Sequence, residues 1–329
     1  MPHKQRQDFS IRPATLEDAD DIATLMNACA LDRGEQARSA AQHIRALMNM
    51  PGLNLETDTC LAVDSSGTVI GCGLVQDSPA SNLLSALAEV HPDLRGEGVG
   101  MALCRWIEGR AGQAVHRIPI GSRLAVVQKR LSMDEASHQL LLREGYQVVR
   151  HNFRMVIEMT QAPIQPTPLE GFEIRPFVPV EESKALVRAI QEAFRDNWGY
   201  VERPFEVEYQ RWMHLLEQEK DLGTGRYWFV AVHEREIAGF ALSRMQVSQD
   251  PEEAAIEIVG VRPDWRRRGI AFVLLQHSFL ALYQAGKRRV ELEVEAENPT
   301  GATRLYEKAG MVVDRRYDFL EKELRSGTA

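Results

Sequence analysis

Residues 266–271 read Arg-Arg-Arg-Gly-Ile-Ala, between an apolar stretch at Ile256–Val261 and a long apolar segment from Ile270 to Ala285. Guanidinium groups beside a glycine at a helix start suit an anion. Converging backbone N–H groups and the helix N-terminus would hold it, and glycine lets the backbone approach. The arginines add charge where phosphate oxygens would lie. A second reading is a basic surface turn capped by glycine. Further along, Asn298-Pro299-Thr300-Gly301-Ala302-Thr303-Arg304-Leu305-Tyr306-Glu307-Lys308-Ala309-Gly310 outlines a short helix. Asparagine suits the N-cap, proline the first turn and glycine the stop. No His/Cys/carboxylate cluster has metal-ligand spacing, and no Ser/His/Asp set announces a covalent nucleophile.

The elements that must position these residues occur twice. Phe9-Ser10-Ile11-Arg12-Pro13 returns as Phe172-Glu173-Ile174-Arg175-Pro176, and Val90-His91-Pro92-Asp93-Leu94-Arg95 as Val261-Arg262-Pro263-Asp264-Trp265-Arg266. Glu144-Gly145-Tyr146 answers to Ala309-Gly310-Met311. Similar offsets at start, middle and end mean one domain copied. The expected boundaries are residues 1–160 for the N-terminal copy, 161–171 for a linker and 172–329 for the C-terminal copy. The linker holds the proline-rich stretch Ala162–Pro168.

Each copy opens with a strand leading into a helix, preceded in the first copy by a capping box at Thr15-x-x-Asp18. A hairpin follows: Cys60–Val63 with Val69–Gly71, and Trp228–Val232 with Ile237–Phe240. The second copy continues with the strand Ile256–Val261, the arginine turn, the helix Ile270–Ala285 and the strand Arg289–Glu295. A short helix ending at Gly310 and a last hairpin reaching Leu324 complete it. The fold class is α+β, each copy a mixed, mostly antiparallel sheet flanked by helices.

With its preceding elements, the Arg266–Ala271 turn and the Asn298–Gly310 segment closely resemble the GNAT superfamily of N-acetyltransferases. The duplicated layout is similar to mycothiol-synthase-type tandem acetyltransferases. The resemblance implies acetyl-CoA as cosubstrate, its pyrophosphate on Arg266, Arg267, Arg268, Gly269, Ile270 and Ala271. It implies that the pantetheine arm pairs along the strand ending at Val261, that the N–H near Val259 polarises the thioester carbonyl, and that Asn298 helps hold the arm. Tyr306 matches the tyrosine that protonates the departing thiolate. A thiol near pKa ~8.5 beside a phenol near ~10 makes that transfer reasonable. The alternative is a ring filling core space.

Several family members place a basic glutamate four residues before the carbonyl-polarising amide, where this chain has Ala255. Glu257, two residues along and so on the same face by alternation, is the nominated base. Glu293, Glu295 or a water chain are the alternatives. Asp196–Tyr200 falls where relatives cover the acceptor, and lines a pocket or is ordinary packing.

The first copy keeps the turn as Arg95-Gly96-Glu97-Gly98-Val99-Gly100, which makes Arg95, Gly96, Gly98 and Gly100 candidate cofactor contacts. Alignment on Gly145 and Gly310 sets Leu141 opposite Tyr306 and Met133 opposite Asn298. Leucine cannot donate a proton, and Ser132-x-x-Glu135 becomes the expected helix cap. This copy reads as structural or as a CoA-binding regulatory domain. His91 replaces Arg262 and is expected on the surface.

The 329 residues carry a net charge of −8 and a pI near 5.7, which argues against a nucleic-acid partner. The N-terminus has no apolar signal segment, and no run is long and apolar enough for a membrane span. The four cysteines, without a C-x-x-C pair, read as reduced core residues, so a cytoplasmic protein is expected. A monomer is expected because the two copies can supply internally the pairing that single-copy relatives obtain by dimerising. The expected activity is acetyl transfer from acetyl-CoA to a primary amine of a small molecule at the C-terminal copy. The alternatives are a protein or peptide N-acetyltransferase and a non-catalytic acyl-CoA sensor.

Overall fold

Local sequence sets each element's ends. After β1 (Phe9–Arg12), the Asp18 carboxylate accepts from the Thr15 backbone N–H at 2.7 Å and the Thr15 hydroxyl at 2.9 Å, closing the capping box before α1 (Ala19–Asp32). Arg12 binds the same carboxylate and holds it at a pKa of about 2. The second copy repeats the device after β7 (Glu173–Pro176). There Arg175 grips Glu182 ahead of α6 (Ser183–Phe194) and lowers its pKa.

The computed structural model describes residues 8–50, 52–76, 83–116, 121–195, 202–218, 227–245, 247–248, 250–297 and 301–327. Two compact units emerge: Met1–His151 with Arg316–Ala329, and Asn152–Arg315.

The first unit continues with α2 (Ala41–Met48), α3 (Leu55–Asp58), β2 (Thr59–Asp64), β3 (Val69–Gln76), β4 (Leu83–Val90), α4 (Val99–Gln113), β5 (Leu124–Leu131) and α5 (Glu135–Arg143). Its strands pair antiparallel except β4 with β5, and β5 is flanked by the C-terminal part of β12 (Val312–Arg325), Tyr317 opposite Leu131. The second unit holds α7 (Phe205–Gln218), β8 (Trp228–His233), β9 (Glu236–Arg244), β10 (Glu253–Val261), α8 (Ile270–Gln284), β11 (Arg289–Glu295) and α9 (Ala302–Lys308). Its sheet runs β7-β8-β9-β10-β11 and on to the latter part of β6 (Gln147–Glu158), with Glu295 opposite Asn152. Both units are mixed, mostly antiparallel sheets flanked by helices, the α+β class expected.

In the second unit one sheet face packs Ile256, Leu275, Phe279 and Leu292 with Tyr306. The other packs Leu186, Trp212, Trp228 and Phe240 under α6 and α7. Each such side chain contributes about 1.5–3 kcal/mol by leaving water.

The structure revises several expectations. The boundaries 1–160, 161–171 and 172–329 do not coincide with the units. Strands β6 and β12 each change unit along their length, because the backbone groups of a strand must find ladder partners wherever the sheet offers them. The proline-rich segment lies within the second unit, and Leu169 packs on the cluster of Ile270 and Leu274. The last hairpin is one continuous strand, Val312–Arg325, since no glycine, proline or asparagine interrupts it. Helix α5 is capped by Asp134, which accepts from the Ser137 N–H at 3.2 Å, while the Ser132 hydroxyl donates to Asp318 at 2.6 Å. The four cysteines are buried free thiols, as expected of core residues.

Candidate active site

Two β-strands running in parallel side by side, β10 and β11, pair only from Glu253–Arg289 to Ala255–Glu291. Among the described residues, Ile256–Val261 has no β11 partner. Across the other edge β10 pairs with β9, but the register jumps between Ile256 (opposite Ser243) and Ile258 (opposite Leu242). Glu257 is therefore the extra residue of a β-bulge, a device that bends a strand and frees its groups. Val259 and Val261 both lie on the open stretch, which an extended ligand could join as an added strand.

The bulge changes the argument for Glu257. Alternation cannot set its direction, since the ladder skips it. Instead its carboxylate stands 3.6 Å from the Nε of Arg244, the residue opposite Ala255, so it does turn to the face of Ala255. Both side chains of this pair are more than a third exposed. Glu293 on β11 is exposed, and Glu295 is half-buried.

The strand leads into the arginine turn. Arg267 has φ +63° and Gly269 φ +83°, and α8 begins at Ile270. The first N–H groups of a helix lack partners within it, so those of Ile270 and Ala271 face outward from the start of α8. A side chain added at Gly269 would meet only Leu169, at 3.9 Å, so the space over the turn is open. The three arginines differ. Arg266 donates to the carbonyls of Val261 at 3.2 Å and Ala193 at 3.0 Å, tying the turn to the end of α6. Arg268 donates to the Asp264 carbonyl at 3.3 Å, and Arg267 and Arg268 are exposed.

Tyr306 is buried at 7% exposure on α9, in the cluster with Ile256 and Phe279, beside Val259. Desolvation pushes its phenol up to about 12, which keeps the proton on the oxygen. Asn298, and Asp196 through Tyr200, lie outside the described residues.

The first unit has the same turn. Gly96 and Gly98 have φ of +88° and +93° ahead of α4. Arg95, however, is engaged by Asp32 at 2.6 Å, and Leu140 would come within 2.9 Å of a side chain on Gly100, so that glycine serves helix packing. Leu141 is buried at 2% exposure, and β3 pairs with β4 from Gly71–Val90 to Gln76–Ser85 without a register shift. His91 is partly exposed and caps Pro92–Leu94, a surface role.

Three features escaped the sequence. The bulge disturbs no alternation, because the strand reads apolar on both sides of Glu257. Gly260 is required by the Phe240 ring, whose Cζ lies 2.3 Å from where a side chain would start. Lys287 donates to the carbonyls of Met245, Pro251 and Glu253 at 2.5, 2.7 and 3.0 Å, anchoring the start of β10. Only a lone lysine before a strand signalled the last.

A model of the acetyltransferase (GNAT) family matches residues 185–311. A GCN5-related N-acetyltransferase from Sphaerobacter thermophilus superposes with a TM-score of 0.81 at 32% identity, covering 97% of both chains. A tandem GNAT protein from the clavulanic acid biosynthesis pathway shares the fold, with a TM-score of 0.71 at 15% identity over 98% of this chain and 100% of that one. Mycothiol acetyltransferases from Streptomyces scabiei (24% identity, 91% of this chain, 89% of the relative) and Paenarthrobacter aurescens (26%, 78% and 74%) are similar in sequence. No helix among the described residues is long and apolar enough to cross a membrane. The opened parallel pair, the glycine turn and these likenesses agree, and the protein belongs to the GNAT family of acetyltransferases.

Proposed function

We propose that the second unit moves the acetyl group of acetyl-CoA directly to a primary amine of a small molecule. The observation that carries this reading is the opening of β10 from β11 beyond Ala255, followed at once by the outward-facing turn at Arg267–Ala271. Acetyl-CoA supplies the acetyl thioester. The open β10 edge suits its extended amide-bearing arm, and the turn with Arg267 and Arg268 suits its pyrophosphate. Asn298 is proposed as a further contact to the arm.

The backbone N–H near Val259 stabilises negative charge developing on the carbonyl oxygen. Glu257 takes a proton from the acceptor ammonium. The freed amine nitrogen attacks the carbonyl carbon, the C–N bond forms, the C–S bond breaks, Tyr306 donates its proton to the leaving sulfur, and the second proton that the nitrogen sheds on becoming an amide restores the phenol. Glu293 and Glu295 are the second choices for the base. The first unit, with Leu141 in place of the phenol, supports the fold without transferring acetyl groups. Relatives named for mycothiol favour a small-molecule acceptor over a peptide.

A titration with acetyl-CoA and a thiol-release assay across amines test this reading. One tight equivalent per chain with turnover on a small amine is expected. Binding without turnover on any amine, peptide or protein would make the chain an acyl-CoA sensor.

A further inference from the structure

The Arg244–Glu257 pair is placed where an acceptor must pass. Arg244 ends β9 opposite Ala255, at the last rung before β10 leaves β11. The bulge brings Glu257 back toward it, leaving the small, buried Ala255 as the floor between them. At 3.6 Å the contact is longer than a charge-assisted hydrogen bond, about 2.7–2.9 Å. Among the described residues the Arg244 Nε, shielded from water, donates to no hydrogen-bond acceptor. An exposed ion pair of this kind contributes little to stability, so a ligand can replace it at low cost. A guanidinium offers several donors in a planar fork that matches a carboxylate or phosphonate.

We propose that Arg244 is a specificity-determining residue: it binds an anionic group adjoining the acceptor's amine, so that the substrate class is a zwitterion such as an α-amino acid. This rests on the acetyl-transfer reading above. The ammonium and carboxylate of an α-amino acid are separated by one carbon, so the ammonium meets Glu257 while the carboxylate meets Arg244. Each charge of the ion pair then exchanges its partner for one on the ligand, and neither is left bare. During transfer one ammonium proton passes to Glu257, the amine nitrogen bonds to the acetyl carbon as the C–S bond breaks, the thiolate leaves with the proton of Tyr306, and the second proton lost from the nitrogen restores the phenol. The acceptor's carboxylate stays ionised on Arg244 throughout.

The test compares kcat/KM in a thiol-release assay for a panel of α-amino acids, their carboxamides and their decarboxylated amines. The intact protein should favour an amino acid over its carboxamide by about tenfold or more, the step produced by one charge-assisted contact of about 1.4 kcal/mol. Arg244→Met should bring that ratio to about one by raising KM for the amino acid, and Arg244→Lys should restore part of it. Turnover of amines with no preference for the carboxylate, or an Arg244→Met variant that keeps the preference, overturns the inference and leaves the transferase reading standing. Turnover on no amine at all removes both. The wild-type ratio decides the matter even where a variant fails to fold.

Discussion

The two glycine turns are nearly the same piece of backbone set in different surroundings. Gly96 and Gly98 in the first unit, Arg267 and Gly269 in the second, take positive φ at alternate positions before a helix of the same length. Around them the units diverge. The second has a bulge at Glu257 and a buried phenol at Tyr306. The first has an unbroken β3–β4 register, Leu141 at the phenol's position and Arg95 engaged by Asp32. Both units also open their parallel pair, β4 leaving β5 after Ala86 as β10 leaves β11 after Ala255. The lesson is that the glycine turn and the opened pair come with the shared geometry, whereas the bulge and the buried phenol belong to the second unit alone.

The largest effect that could break this contrast is at the phenol. Tyr306→Phe should lower kcat by about a hundredfold or more, in the range of lost acid catalysis, with the acetyl-CoA Kd nearly unchanged by calorimetry. Leu141→Ala should instead cost about 2–5 kcal/mol of stability in urea unfolding through a core cavity, with the rate per folded molecule retained. Equal losses of rate at both positions would erase the distinction.

Next come the turns. Gly269→Ala forces an alanine to positive φ at about 1–2 kcal/mol and should raise the acetyl-CoA Kd several-fold. Gly98→Ala carries the same strain, and should lower the melting temperature without slowing the reaction.

Alkaline behaviour sharpens the comparison further. The Tyr306 phenol, raised from about 10 to about 12 by burial, stabilises the fold fully below pH ~10 and loses that contribution as pH rises through ~12. Stability measured from pH 9 to 12 should therefore fall less in Tyr306→Phe than in the wild type. The smallest effect is expected for Arg267→Gly, which copies Gly96 into the second unit. Relief of a left-handed arginine, offset by added chain entropy, should stabilise by roughly 0.5–1 kcal/mol, while acetyl-CoA binding weakens through the lost charge.

The duplication, the β2–β3 and β8–β9 hairpins and the Arg266–Ala271 turn were legible because each depends on local residue types at fixed spacing. The position of Tyr306 could be read from the helix around it, although its proton-donating role stays a proposal. Glu257 could be nominated, but not for the right reason: the ladder skips it, and in a strand apolar on both sides of it no alternation marks a skipped residue. Arg266 looked like a phosphate ligand, yet its guanidinium closes on Ala193, a partner seventy-three residues away. Ser132 looked like a cap and was drawn off by Asp318. Such choices are made by tertiary neighbours that a linear pattern does not contain.

The path of β12 has a consequence for how the protein is made. The stretch from Arg316 onward belongs to the first unit, so that unit's sheet lacks a strand until synthesis has passed the whole of the second unit. An N-terminal half emerging from the ribosome must wait with β5 uncovered, a bare strand able to recruit another nascent chain. Cutting the gene at the apparent midpoint would leave both products in that condition permanently.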